Sequence, residues 1–284
     1  MSSIDEKRVY DDREGANVCY LATGVGVVRV AVSDDLVGEY GVVRPGTARD
    51  VAVVGGALVV ATDEDVTVGG EAAGLGPAVA VGTAATGDGL AVLEDGTVCR
   101  LDGAALGQVP DARAVDGGLV AAENGVYRVS DGVNHAGLED VRDVAGIARE
   151  DADGGAGPPL AATADGLYAL GPGWARRATG GWRAVANGPD GAVALDAEGR
   201  LHRSASDAER AETWERLPAL PDALAPVDCG RGAGVTYVAG ADGRFAVRLD
   251  GDEWRSRTLG TPRVTRLVVG EAKGERGGAG SDRT

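Results

Sequence analysis

Five arginines recur at one place in a repeating sequence. The segments ARDV, ARAV, VRDV, WRAV and TRLV set Arg49, Arg113, Arg142, Arg183 and Arg266 in a single column, and two further segments, AVAV and PVDC, carry Val79 and Val227 there. Asp50, Asp143 and Asp228 stand in the next column. A guanidinium group is planar, permanently charged and grips carboxylate or phosphate through two parallel hydrogen bonds. A ring of such groups would hold an anionic ligand or an acidic segment of a partner. The structural alternative is an ion pair from each arginine to an aspartate of its own or the adjacent repeat, because a partly buried charge needs a partner. Both readings stand at this level.

A second column is acidic. Asp63-Glu64-Asp65, Glu94-Asp95, Glu123-Asn124, Asp165, Asp196–Glu198 and Asp242 all fall at turns. Paired carboxylates could bind a cation or move protons, but Asp and Asn are also what tight turns accept. The run REDADGGAGPP (149–159) has Asp151, Asp153 and Gly154 at calcium-loop spacing and lacks the later ligands and closing glutamate of an EF-hand. His135 and His202 are the only histidines, and neither has a Cys or His neighbour at zinc spacing. Cys19, Cys99 and Cys229 are odd in number, far apart and set in apolar runs, so they read as small buried side chains. No nucleophile elbow, P-loop or dinucleotide fingerprint is present. The sequence therefore implies no metal, no cofactor and no catalytic residue.

The elements that must position these columns are strands. ENGVYRVSDG (123–132) returns as EDGTVCRLDG, ADGLYALGPG and ADGRFAVRLDG. Asp-Gly or Asn-Gly between two β-rich runs is a strong hairpin signal. Anchors at Gly26, Asp65, Gly96, Gly125, Gly166, Gly199 and Gly243 divide the chain into seven units of about 36 residues. Each hairpin is preceded by an apolar strand containing the arginine column and followed by a weaker fourth strand. Four-stranded antiparallel units repeated at this period are the blades of a β-propeller. The first unit lacks its innermost strand, and VTRLVVG (264–270) stands alone at the other end. Together they complete one blade and remove two open sheet edges. The expected fold is all-β, a seven-bladed β-propeller over residues 16–270, with an N-terminal extension (1–15) and a disordered C-terminal tail (271–284).

The chain has 284 residues, 44 acidic against 28 basic, a net charge of −16 and only two lysines, Lys7 and Lys273. Such a surface stays hydrated in molar salt and argues against nucleic-acid binding. No run reaches the ~18 apolar residues of a membrane span, and the N-terminus has no apolar export signal. A cytoplasmic monomer of a halophilic archaeon is expected. The stretch LHRSASDAERAETWERLP (201–218) resembles the Asp-box of sialidase-like propellers, with Ser204 or Ser206, Asp207, Thr213 and Trp214 matching in kind and the glycine missing. Trp174 and Trp254 hold the corresponding place in two other units. The whole chain resembles the propeller proteins of haloarchaea, a family to which no activity is assigned. That resemblance implies a fold and a lineage. With no catalytic constellation to set against them, the arginine mouth and the rigid ring point to a non-enzymatic scaffold for a protein partner. The alternative is a ligand-binding or hydrolytic propeller, sialidase- or lactonase-like, with an anion at the same arginines.

Overall fold

In the computed structural model, residues 17–147, 157–205, 213–221 and 224–270 are described. They form seven four-stranded antiparallel sheets, and no helix occurs among them. We number the blades in chain order. Blade 1 pairs the inner strand Arg266–Gly270 with Asn17–Thr23, Gly26–Ser33 and Leu36–Pro45. Blades 2 to 7 occupy residues 50–72, 78–108, 112–135, 141–179, 182–216 and 226–258. Blade 1 closes the ring as expected, with Arg266 opposite Ala22 and Gly270 opposite Val18.

The turns follow from backbone chemistry. At Gly243 φ is +81°, and a Cβ there would stand 2.0 Å from the Thr261 carbonyl. Only glycine fits such a corner cheaply. The stretch 213–216 is the outer strand of blade 6. The fourth strands vary widely, from two residues in blade 2 to ten in blade 1.

The core lies at the seams between blades. Ala80, Leu90, Val92 and Val98 of blade 3 pack on Val115, Val120 and Val129 of blade 4. Alternating small and β-branched residues suit two pleated faces pressed together. Where the inner strands converge, even a methyl is too large: a Cβ on Gly82 would lie 2.0 Å from the Val115 carbonyl of the next blade. Cys19, Cys99 and Cys229 are buried and unpaired, as their apolar settings suggest.

Candidate functional site

The inner strands begin at one mouth of the central channel, here called the upper mouth. In five blades the strand enters through a β-bulge. Val79, Arg113, Arg142, Arg183 and Val227 are the extra residues, each lying between two positions that pair normally with the second strand. Arg49 of blade 2 and Thr265 of blade 1 hold the equivalent place. Their amides donate to the carbonyls of Ala61 and Ala22, which face Asp50 and Arg266. A bulged residue has its side chain re-aimed relative to the strand. That device turns Arg49, Arg113, Arg142 and Arg183 into the mouth.

The register corrects one member of the sequence column. Arg266 is not the fifth bulge arginine, because Thr265 stands there. Arg266 lies one step deeper, in the column of Asp50, Asp143 and Asp228. Matching the letter R in TRLV to the R in ARDV misses this, since the bulge fixes the phase and has no sequence signature of its own. All five arginines still line one hollow of about 140 Å³, together with the three aspartates.

The deeper ring is a closed electrostatic unit. Arg266 Nη1 donates to Asp143 Oδ1 at 2.7 Å, and its Nε lies 3.8 Å from Asp50 and 3.7 Å from Asp228. The three carboxylates are almost fully buried, with side chains 8%, 3% and 4% exposed. Each also accepts an amide from the next blade: Asp50 from Val81 at 2.9 Å, Asp143 from Val185 at 2.9 Å, Asp228 from Leu267 at 2.7 Å. Inner strands are sheet edges, and their channel-side amides would otherwise be unsatisfied. Burial pushes the Asp50 carboxyl up to about 6 and Asp228 up to about 7, against the pull of Arg266. The three aspartates hold the Arg266 guanidinium charged, well above its ordinary range.

The bulge ring is different. Arg113 pairs with Asp140 at 2.5 Å and with Glu123 at 3.6 Å, and Arg49 with Glu94 at 3.5 Å. The acidic turn column therefore supplies partners for the arginine column, a link that reading the two columns separately misses. Arg142, 38% exposed, has a single ion pair among the described residues, to Asp140 at 3.9 Å. Arg183 is exposed, with no ion pair among the described residues. These two stand on adjacent blades, 5 and 6, so one side of the mouth carries exposed guanidinium groups that are weakly held (Arg142) or have no ion pair among the described residues (Arg183).

Two of the remaining acidic turns tie their own loops through Asp65 and Asp196. Asp65 accepts amides from Val66, Gly74, Leu75 and Gly76, which hold its carboxyl below the usual range and fix the route into blade 3. Asp196 accepts the Arg200 Nε at 2.7 Å and stands 2.9 Å from His202 Nε2. The His202 ring meets Trp182 edge to face, with centroids 4.9 Å apart. Trp174 and Trp254 donate to the Ala136 and Pro218 carbonyls of the preceding blades, riveting outer strands together. Ser206, Asp207, Asp151, Asp153 and Gly154 lie outside the described residues. Among the described residues, no group of three or more His, Cys, Asp or Glu side chains is arranged for a metal.

At the lower end the channel holds a cavity of about 170 Å³ lined in part by Asp116, Asn187 and Arg231. Thr83 donates to Asp116 at 3.1 Å, and Asp116 accepts the Gly146 amide at 2.8 Å. Arg231, 1% exposed, is clasped by Asp190 at 2.7 Å and Asp250 at 2.6 Å. The repeat alignment passes over these residues. The only signal is a polar residue where neighbouring inner strands carry Ala, Gly or Val.

Radial four-stranded blades, a closing strand and a central channel define this molecule as a seven-bladed β-propeller. A family model described as Beta-prop_HVO_0234:-like, beta propeller, matches residues 3–270, and the chain belongs to that family. No curated protein matches it. Similar solved structures include the computationally designed Ika8 protein (11% identity, TM-score 0.54, covering 89% of this chain and 87% of that one). YCF48 bound to D1 peptide aligns at 14% identity and TM-score 0.50, over 86% of each chain. Human WBSCR16 aligns at 13% and 0.50, over 84% and 89%. Identities this low show the shared fold alone. Among the described residues, no helix is long and apolar enough to cross a membrane.

Proposed function

We propose that this propeller is a protein-interaction scaffold whose upper mouth receives a carboxylate-bearing segment of a partner. The observation that carries this reading is the pair of exposed arginines on adjacent blades, Arg183 with no ion pair among the described residues and Arg142 with a single long one to Asp140 (3.9 Å), beside a mouth whose other arginines are held closer by carboxylates. Guanidinium pairs of this kind match carboxylate geometry. A solved propeller of the same fold carries a bound peptide, which is a precedent for a ring of this shape holding one. The acidic, lysine-poor composition fits the cytoplasm of a halophilic archaeon. At molar salt the Debye length is about 3 Å, so only direct contacts at the mouth would count.

The hollow itself, about 140 Å³, favours a second reading in which a small carboxylate or phosphate occupies the mouth. One experiment separates the two. A fluorescent glutamate-rich peptide and inorganic phosphate are titrated in molar KCl against wild type and against Arg142→Ala/Arg183→Ala. Peptide binding lost in a folded double variant supports the scaffold. Phosphate binding alone supports the small-anion reading, and no binding of either overturns both.

A further inference from the structure

The outer strand of blade 1, Leu36–Pro45, is ten residues long, while the other six outer strands have two to six. No described strand pairs with its outer side. Six large apolar side chains are exposed among the described residues, and four of them, Leu36, Tyr40, Val42 and Val43, sit on this strand. Tyr40, Val42 and Val43 border an open groove of about 700 Å³ that also includes Arg29, Glu39 and Arg257. A long, apolar, unpaired edge is a template for another strand, and folded proteins usually blunt such edges with charge or brevity. Here the edge is kept.

We infer that this edge accepts an extended segment of a partner protein by strand addition, and that the segment alternates aliphatic residues with carboxylates. The backbone edge supplies the pairing and the apolar side chains select the aliphatic positions. The charges select the rest. Arg257 of blade 7 lies over the Tyr40 ring at 4.8 Å and donates to the Val37 and Gly38 carbonyls at 3.1 and 3.0 Å. Neither Arg257 nor Arg29 has a carboxylate partner among the described residues. In a chain with 44 acidic residues against 28 basic ones, two such arginines flanking an apolar strip are complementary to an acidic visitor. A second copy of the chain is the poorer occupant, because it would bring four of these arginines against two copies of Glu39 and add two net charges of −16.

The test uses the full chain in molar KCl and two capped heptapeptides, one alternating valine with glutamate and one alternating valine with lysine. Binding is read by fluorescence anisotropy and by hydrogen exchange of the amides in 36–45. The glutamate peptide should bind and slow exchange of these amides at least tenfold. Val42→Asp should abolish binding, and Arg29→Ala/Arg257→Ala should weaken it at least fivefold. The lysine peptide should bind at least tenfold more weakly. In the Arg142→Ala/Arg183→Ala variant the glutamate peptide should protect the amides of 36–45 as it does in wild type, whatever binding at the mouth is lost, which keeps this site separate from the mouth. Equal binding of both peptides, no protection of 36–45, or a concentration-dependent dimer in sedimentation that protects the same amides would each overturn the proposal.

Discussion

The channel carries two rings of charge one register step apart, and they behave oppositely. Arg266 and its three aspartates are buried, mutually bonded and tied to the backbone of the next blades. Arg49, Arg113, Arg142 and Arg183 stand outside them, on bulges, half open to solvent and bound unevenly. Residue type does not separate the rings, since both use arginine. Burial and the position of the bulge do. The deeper ring ties neighbouring blades together, whereas the outer ring lies open to solvent with partners that range from two carboxylates at Arg113 to none among the described residues at Arg183.

Removing Arg266 should have the largest effect. Arg266→Ala leaves three buried carboxylates without their cation, and breaking a buried pair in this way costs about 3–5 kcal/mol. Denaturant melts in molar KCl should show that loss, with Arg266→Lys falling between the variant and wild type. A cost under about 1 kcal/mol would mean that the deeper ring behaves like the outer one, and the contrast would collapse.

The next test is pH. Asp50 and Asp228 have folded-state values near 6 and 7, above the ordinary 3.8. In that window the folded chain binds more protons than the unfolded chain, so stability falls as pH rises from about 4 to about 7. Asp65, Asp165, Asp196 and Asp250 are shifted the other way and withdraw their contribution at still lower pH. The unfolding free energy should therefore be higher at about pH 5 than at about pH 8. Asp228→Asn should flatten the slope near neutrality. A slope unchanged by that substitution would place the titration elsewhere.

How much of this contrast is legible in the sequence follows from what each feature costs in residues. The hairpins are legible because turns at positions such as Gly243 admit few residue types, and the ring closure is legible because an orphan strand at each end has one economical solution. The two rings are legible only as adjacent columns. Their phase is hidden, because a bulge at Arg142 or Arg183 inserts a residue without demanding a special one. The seams show the same limit. Each of the seven has a polar tie at the channel, from Thr265 Oγ1 on the Arg49 carbonyl (2.9 Å) through Asp50, Thr83, Asp116, Asp143 and Asp190 to Asp228 on Leu267. No two consecutive ties share residue type and column, so no periodic pattern reports them.

Within the outer ring the comparison can be sharpened further. Arg113 has two carboxylates and Arg183 has none among the described residues. Exposed pairs of the first kind contribute about 0–1 kcal/mol, so Arg113→Ala should lower stability by less than about 1 kcal/mol and lose even that in high salt. A double-mutant cycle with Asp140→Ala isolates the pair.

Arg142→Ala/Arg183→Ala should change stability least, within about 0.5 kcal/mol, because Arg183 has no ion pair among the described residues and the one pair of Arg142, to Asp140, is long and exposed. Its effect belongs in binding. If the weakly held side of the mouth receives a carboxylate, losing both groups should weaken a glutamate-rich peptide by tenfold or more in molar KCl, where screening leaves contact pairs as the only electrostatic contribution. Arg49→Ala/Arg113→Ala, whose arginines are already engaged by Glu94, Glu123 and Asp140, should weaken it much less. Equal losses from the two double variants would mean that the mouth acts as a uniform positive ring, and that firmly and weakly held arginines are not functionally distinct.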